Sequence, residues 1–360
     1  MEFILIAVVV LLAAANGAND NFKGVATLWG ANRTSYGRAL AWATATTFVG
    51  SLAALGLASG LVTKFSGAHL VAQAVLGQPE FLSAAALGAA ATVLIATRLA
   101  APISTTHALA GALVGSGVAA AGPGQVNFAA LGAGIALPLA VAPLLAMALT
   151  LGIHPAVDRL VRGRDCLCAE PKPALASLPT GAAFAATVAA LPGIRWAHAA
   201  DCPAAAGTRT SLSGALHWLT AAGISFARGL NDTPKIAALL LAYSAAGGRV
   251  SFGVVAVAMA AGGLLGAARV AQTMSRRITP MDAGQALAAN LVAAILVTAA
   301  SLVALPVSTT HVTSGGIFGI GLLRRPEANW SQVQEILLAW LVTLPAGFAL
   351  AAGFYALLAR

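Results

Sequence analysis

Asn16-Gly17-Ala18-Asn19-Asp20-Asn21-Phe22-Lys23-Gly24 decides how this chain is read. The stretch sets a carboxylate, an ammonium and several amides directly after the apolar run Phe3 to Ala15. Charge in such surroundings is costly, and it marks function more often than accident. The stretch has an echo: Arg228-Gly229-Leu230-Asn231-Asp232-Thr233-Pro234-Lys235 repeats Gly-x-Asn-Asp-x-x-Lys at an offset of 212 residues. A second motif recurs in the same order. Pro102-Ile103-Ser104-Thr105-Thr106-His107 returns as Pro306-Val307-Ser308-Thr309-Thr310-His311, offset by 204. Two independent motifs in matching apolar frames imply an internal duplication.

Composition sets the solvent. Of 360 residues, 59 % are hydrophobic and 9 % charged, and mean hydropathy is +0.86. A soluble domain carries about 25 % charge. The chain therefore reads as an all-α polytopic membrane protein. Residue 2 is Glu and no basic segment precedes the first apolar run, so that run is expected to be a retained span. The net charge of +9 belongs to loops rather than to a nucleic-acid surface, because there is no long basic tract. Cys166, Cys168 and Cys202 fit no standard zinc spacing, so no metal site is expected and they read as free thiols in a loop.

The apolar runs give two matched halves. In the first, residues 1–152, a span from Glu2 to Gly30 is interrupted by the polar motif. Spans Ala39 to Val62, Leu82 to Thr97 and Phe128 to Leu151 follow, with a short segment near Leu70 to Leu76 and a short re-entrant piece from Ala108 to Ala121. In the second, residues 212–360, the corresponding runs are Ser213 to Tyr243, broken at Asn231-Asp232, then Val250 to Val270, Gly284 to Leu305, Val312 to Leu323 and Val333 to Leu358. Residues 153–211 read as a central loop, hydrophilic from His154 onward, that carries a little structure of its own. With both termini outside and an odd number of crossings per half, 14 Lys and Arg fall inside against three outside, apart from Lys23, Arg228 and Lys235 in the motifs. That arrangement places the central loop in the cytoplasm and inverts the halves relative to each other, with broken helices meeting near the midplane, as in secondary transporters.

The motifs carry distinct chemistries. Ser104, Thr105, Thr106, Ser308, Thr309 and Thr310 sit at two helix starts. Helix N-termini offer free N–H groups and partial positive charge, and they bind phosphate-like anions readily. Hydroxyls add donors without fixed charge, although Ser and Thr also simply cap helices. Asn19, Asp20, Asn231 and Asp232 suit a hard cation or a proton. Lys23 and Lys235, three residues beyond each Asp, make either an internal ion pair or point charges that attract the anion. Asn16 adds a further amide. His107 and His311 carry protons or, as favoured here, hold the hairpins by hydrogen bonds to nearby backbone. Asn290, in an otherwise apolar span, is expected to bond across helices. A catalytic triad of Ser104, His107 and Asp20 is set aside, because both motif copies are intact and the strained nucleophile turn is missing.

The paired Gly-x-Asn-Asp and Pro-x-Ser-Thr-Thr-His motifs resemble the inorganic phosphate transporter (PiT) family over nearly everything except residues 153–211. The resemblance implies an inverted-repeat carrier in the cell (inner) membrane with no cofactor beyond its coupling ion, Na+ or H+. It implies phosphate between the two hairpins, the coupling ion beside Asn19, Asp20, Asn231 and Asp232, and a homodimer among membrane lipid. Sulfate or another tetrahedral oxyanion is the second substrate reading. One departure stands out. Family members usually follow the first Asn-Asp or His-Asp pair with small residues, whereas this chain has Asn21-Phe22-Lys23-Gly24, with a positive charge where a cation would bind.

Overall fold

The computed structural model describes residues 2–76, 78–162, 166–170, 193–197, 209–243 and 247–360. The first half contains α1 (Glu2–Asp20), α2 (Ala26–Gly30), α3 (Tyr36–Leu57), α4 (Gly60–Phe65), α5 (Gln73–Leu76), α6 (Pro79–Arg98), α7 (Thr105–Ala121), α8 (Phe128–Leu131) and α9 (Leu137–Arg162). Three short strands follow, β1 (Cys166–Glu170), β2 (Gly193–Ala197) and β3 (Arg209–Ser211), in one antiparallel sheet of order β2-β1-β3. The second half contains α10 (Leu212–Leu241), α11 (Gly248–Gly266), α12 (Ala268–Gln272), α13 (Ala283–Leu302), α14 (Thr309–Leu323) and α15 (Trp330–Leu358). Among the described residues, seven helical segments are long and apolar enough to cross a membrane. At 30 residues α10 is also long enough, about 45 Å, but it carries Arg228, Asp232 and Lys235 in its core portion.

The expected interruption of the first helix is present. Helix α1 ends at Asp20, a 3-10 turn covers Lys23–Val25, and α2 begins at Ala26. Here the Phe22 ring stacks on Tyr36 at 5.0 Å and meets the edge of Trp29 at 5.5 Å. Gly24 lets the main chain press on α10: a Cβ there would lie 2.3 Å from Ser225 Oγ. The second interruption, expected at Asn231-Asp232, does not occur, because α10 runs unbroken through the motif and through Pro234. Proline removes one helical hydrogen bond, but Ile236 stands where the first copy has Gly24, and glycine is the poorer helix former by about 1 kcal/mol. The flanking side chains are also pinned from outside, since Lys235 and Asn231 both donate to Val307 C=O.

A second correction concerns the central loop. Residues expected to open it, His154 to Arg162, instead extend α9. Val157 packs there with Leu287 and Ala288 of α13, with Val161 and Leu216 alongside. A polar stretch with apolar residues one turn apart stays helical because its apolar stripe has somewhere to go. Cys202 and most of the loop lie outside the described residues.

The halves exchange contacts reciprocally. Helix α1 packs on α6 and α11, and α10 packs on α13 and α3. A Cβ on Gly17 would lie 2.0 Å from Met259 O, and one on Gly229 would lie 2.1 Å from Thr47 O. Both members of each pair differ by 212 residues from their counterparts, so the two crossings are the same crossing seen twice. The hairpin helices exchange partners as well: α7 packs on α15, and α14 packs on α9. Both start near the centre. Helix α7 leads to one end, where Gly117 approaches Val71 and Val126. Helix α14 leads to the other, where Arg324 bonds Gln285 and Asp282. That second end is arginine-rich, with Arg269 bonding Arg98 C=O and Arg276 bonding Asn32.

Candidate functional site

The two polar motifs meet in the middle of the bundle. Asp20, Lys23, Arg228, Asp232 and Lys235 are all buried, none more than 4 % exposed. Each lysine pairs with its own aspartate: Lys23 contacts Asp20 Oδ1, and Lys235 Nζ lies 3.5 Å from Asp232 Oδ1. Each lysine also bridges the halves, bonding a threonine of the opposite hairpin and a carbonyl of its own. Lys23 Nζ donates to Thr310 Oγ1 (2.7 Å) and Ile103 C=O (2.9 Å). Lys235 Nζ donates to Thr106 Oγ1 (2.8 Å) and Val307 C=O (2.7 Å). The threonines complete the exchange, Thr310 donating to Ile103 C=O and Thr106 to Val307 C=O.

The helix starts position these groups. Ser104 and Ser308 are N-caps, each accepting from the backbone N–H three residues on, at His107 and His311. That uses one acceptor lone pair and leaves each O–H as a donor. The first-turn amides of Thr105, Thr106, Thr309 and Thr310 have no partner within their helices. Thr105 donates to Asp20 Oδ2 at 3.1 Å and accepts from Asn16 at 3.0 Å. The side chain of its counterpart Thr309 has no hydrogen-bond partner among the described residues, although the residue is buried. Asn19 and Asn231 are matched: Asn19 donates to Thr97 Oγ1, and Ser301, the counterpart of Thr97, donates to Asn231 Oδ1. The structure thus joins the aspartates, the lysines, Thr105, Thr106 and Thr310 of the two motifs in one network, into which Ser104, Ser308 and Thr309 make no side-chain hydrogen bond among the described residues.

Two residues were not weighted enough by the sequence. Arg228 Nη2 donates to Asn16 Oδ1 at 2.6 Å, and Arg228 Nε lies 3.8 Å from Asp232 Oδ2. Asn16 also donates to Asp20 Oδ2 at 2.9 Å and to Asp232 Oδ2 at 3.3 Å. Asn16 and Arg228 are counterparts at the 212-residue offset, each one helical turn before its aspartate. That i, i+4 spacing is the signal that identifies them. With three cations against two carboxylates, the cluster carries a formal charge of +1.

The histidine rings pack against each other at a tilt of 46° and do not bond in a matched way. The His107 and His311 rings lie 4.6 Å apart, and His311 sits 3.8 Å from Trp340. His311 Nδ1 faces Leu139 C=O at 3.3 Å, which fits the structural role. His107 Nδ1 finds no partner among the described residues. No group of His, Cys, Asp and Glu able to hold a metal occurs among the described residues.

A family model described as "Phosphate transporter family" matches residues 16–351. The chain belongs to the phosphate transporter family. It is 28 % identical to the "Probable low-affinity inorganic phosphate transporter" of Rhizobium meliloti, over 98 % of this chain and 94 % of that protein. It is 25 % identical to the protein of the same description from Bacillus subtilis, over 99 % of both chains. Among solved structures, "The sodium-dependent phosphate transporter" superposes with a TM-score of 0.75 at 19 % identity, covering 99 % of this chain and 98 % of that one, which fixes a shared fold. Membership places the chain among multi-pass membrane transporters and permeases rather than enzymes. The triad reading fails on geometry too, since Ser104 Oγ meets the His107 amide and Asp20 is held by Lys23, Asn16 and Thr105.

Proposed function

We propose that this protein is a secondary carrier that imports inorganic phosphate by symport with a cation, a proton or sodium. The observation that carries the reading is the buried cluster itself. Five charged side chains sum to +1 beside two capped helix N-termini that converge from opposite halves. A site with one uncompensated positive charge and many N–H and O–H donors suits an anion. Phosphate is the substrate named for the family and for the relatives above.

The ion pairs suggest how coupling works. Each lysine is committed to its aspartate and to the hydroxyl of the opposite hairpin. A cation or proton taken up by Asp20 or Asp232 weakens the lysine's hold on that carboxylate. The freed ammonium then turns to the anion together with Thr106, Thr310 and the first-turn amides. On this reading Lys23 does not replace the coupling ion but competes with it. Phosphate and cation favour the same rearrangement, which is what symport requires. The reciprocal crossings at Gly17 and Gly229, and the hairpins that run to opposite ends, support an inverted repeat rocking about this cluster.

Uptake of labelled phosphate into proteoliposomes tests the proposal. Sodium and proton gradients are imposed separately, and sulfate is added as competitor. Concentrative uptake driven by one gradient and abolished by the matching ionophore is expected. Uptake that never exceeds equilibration would replace the carrier with a channel, and equal competition by sulfate would move the substrate class.

A further inference from the structure

The repeat is nearly exact at the charged cluster but not on either side of it. Helix α10 carries one polar stripe that descends to the cluster, His217, Ser225, Arg228, Asp232 and Lys235, at i, i+8, i+11, i+15 and i+18. His217 and Ser225 are buried, and His217 Nδ1 and Ser225 Oγ have no partner among the described residues. Nearby, Asn290 of α13 is fully buried with both amide atoms unpartnered, contrary to the cross-helix bond expected from sequence. It shares a helix face with Ala286 and Ala293, which pack with residues of α10 such as Ala221 and Ile224. Thr313, one turn beyond Thr309 and Thr310 on α14, is buried with a free hydroxyl, and so is Thr150 of α9.

The counterparts in the other half are apolar at every position. His217, Ser225, Asn290, Thr313 and Thr150 correspond to Leu5, Ala13, Ala86, Leu109 and Ala351. Those five are almost completely buried and belong to one contiguous hydrophobic core. The exchange symmetry that makes Leu5 to Ala351 one region makes their polar counterparts one region too. That region lies between the cluster and the arginine-rich end. A buried polar atom without a partner costs about 1–3 kcal/mol, and such groups are normally met by water or by a ligand. Five together, against Ser83 Oγ of α6 on the opposite side, are a liability in a dry core.

We propose that His217, Ser225, Asn290, Thr313 and Thr150 line a hydrated lane from the charged cluster to the arginine-rich face. The matched apolar set seals the opposite side. This rests on the carrier reading above and adds to it the route by which the anion and its water leave. Guanidinium groups at the lane's mouth, Arg276 and Arg324 among them, favour exit of an anion on that face.

The test uses a full-length chain with its three cysteines replaced by serine, in sealed vesicles of both orientations. Single cysteines are placed at Ser225, Asn290 and Thr313, and at Ala13, Ala86 and Leu109. The probe is an anionic methanethiosulfonate. The first three are expected to react at least tenfold faster than the second three, and only from the arginine-rich face. Equal rates across all six, including no reaction at any, overturn the lane. A second measurement separates a wet lane from a dry orphan. Asn290→Leu is expected to lower phosphate uptake at least tenfold with thermal stability unchanged or raised. Full uptake with raised stability would overturn the proposal. Labelling needs no phosphate transport, so the lane can fail while the transport reading stands, and the reverse.

Discussion

Lys23 offers the sharpest test of the cluster, because its removal has a consequence that its partner's removal cancels. Asp20 accepts from Lys23, Asn16, Thr105 and Thr310, and among the described residues Lys23 is the one cation that contacts its carboxylate directly. Lys23→Met leaves that carboxylate buried without its cation, which costs about 3–5 kcal/mol. Asp20→Asn leaves the ammonium with three neutral acceptors, Asn19 Oδ1, Ile103 C=O and Thr310 Oγ1, and costs a similar amount. The double variant leaves no buried charge at this pair. It is expected to lose less than the sum of the singles by about 2–3 kcal/mol. The assay is SDS-driven unfolding in mixed micelles at fixed pH and salt. A double variant whose loss equals the sum of the singles would refute the reasoning, because the two charges would then not be coupled.

Three further outcomes follow from the same geometry. Ser104→Ala combined with Thr309→Ala should cost about 1 kcal/mol of stability through the lost cap and strongly reduce phosphate uptake in folded protein; normal uptake would remove the hairpins from the site. Asp20→Asn should change the sodium or proton dependence of uptake more than the preference for phosphate over sulfate, and an unaltered ion dependence would count against Asp20 as the coupling residue. Gly229→Ala forces a Cβ to 2.1 Å from Thr47 O; overpacking of this kind costs about 1–3 kcal/mol or more, to be read as lower yield of folded protein in the membrane, whereas a change at Gly37, which faces open space, should be silent.

Much of the fold is legible because a bilayer demands long apolar helices, and hydropathy alone located the spans. The lapses came where packing overruled local pattern. Asn231-Asp232 reads as a break in the helix, yet α10 continues, with Lys235 and Asn231 anchored by Val307. His154 to Arg162 reads as a loop until α13 gives Val157 a partner. At the site, repetition marked Asp20, Asp232, the lysines and the hydroxyls without any structure. Arg228 lacked that mark because its counterpart is Asn16, so the duplication that revealed the rest hid this pair. The bond from Lys23 to Thr310 joins residues 287 apart, and no local spacing carries it.

The exchange of hairpins has a consequence for how the molecule comes into being. Helix α7 is made early, but the faces of Gly111 and Gly115 lie against Leu344 and Phe348 of α15, which is made after both copies of both motifs. Trp340 of the same helix bonds Pro102 C=O at the first hairpin's start. Until α15 arrives, the first half holds an unfilled groove beside a polar hairpin. Neither half is a self-sufficient unit, and such non-local closure makes folding slow. A ribosome that stops before Trp330 delivers a chain with both motifs present and one hairpin undocked. The chain carries two copies of each motif, and the interlock leaves the first hairpin unfinished until α15 has been made.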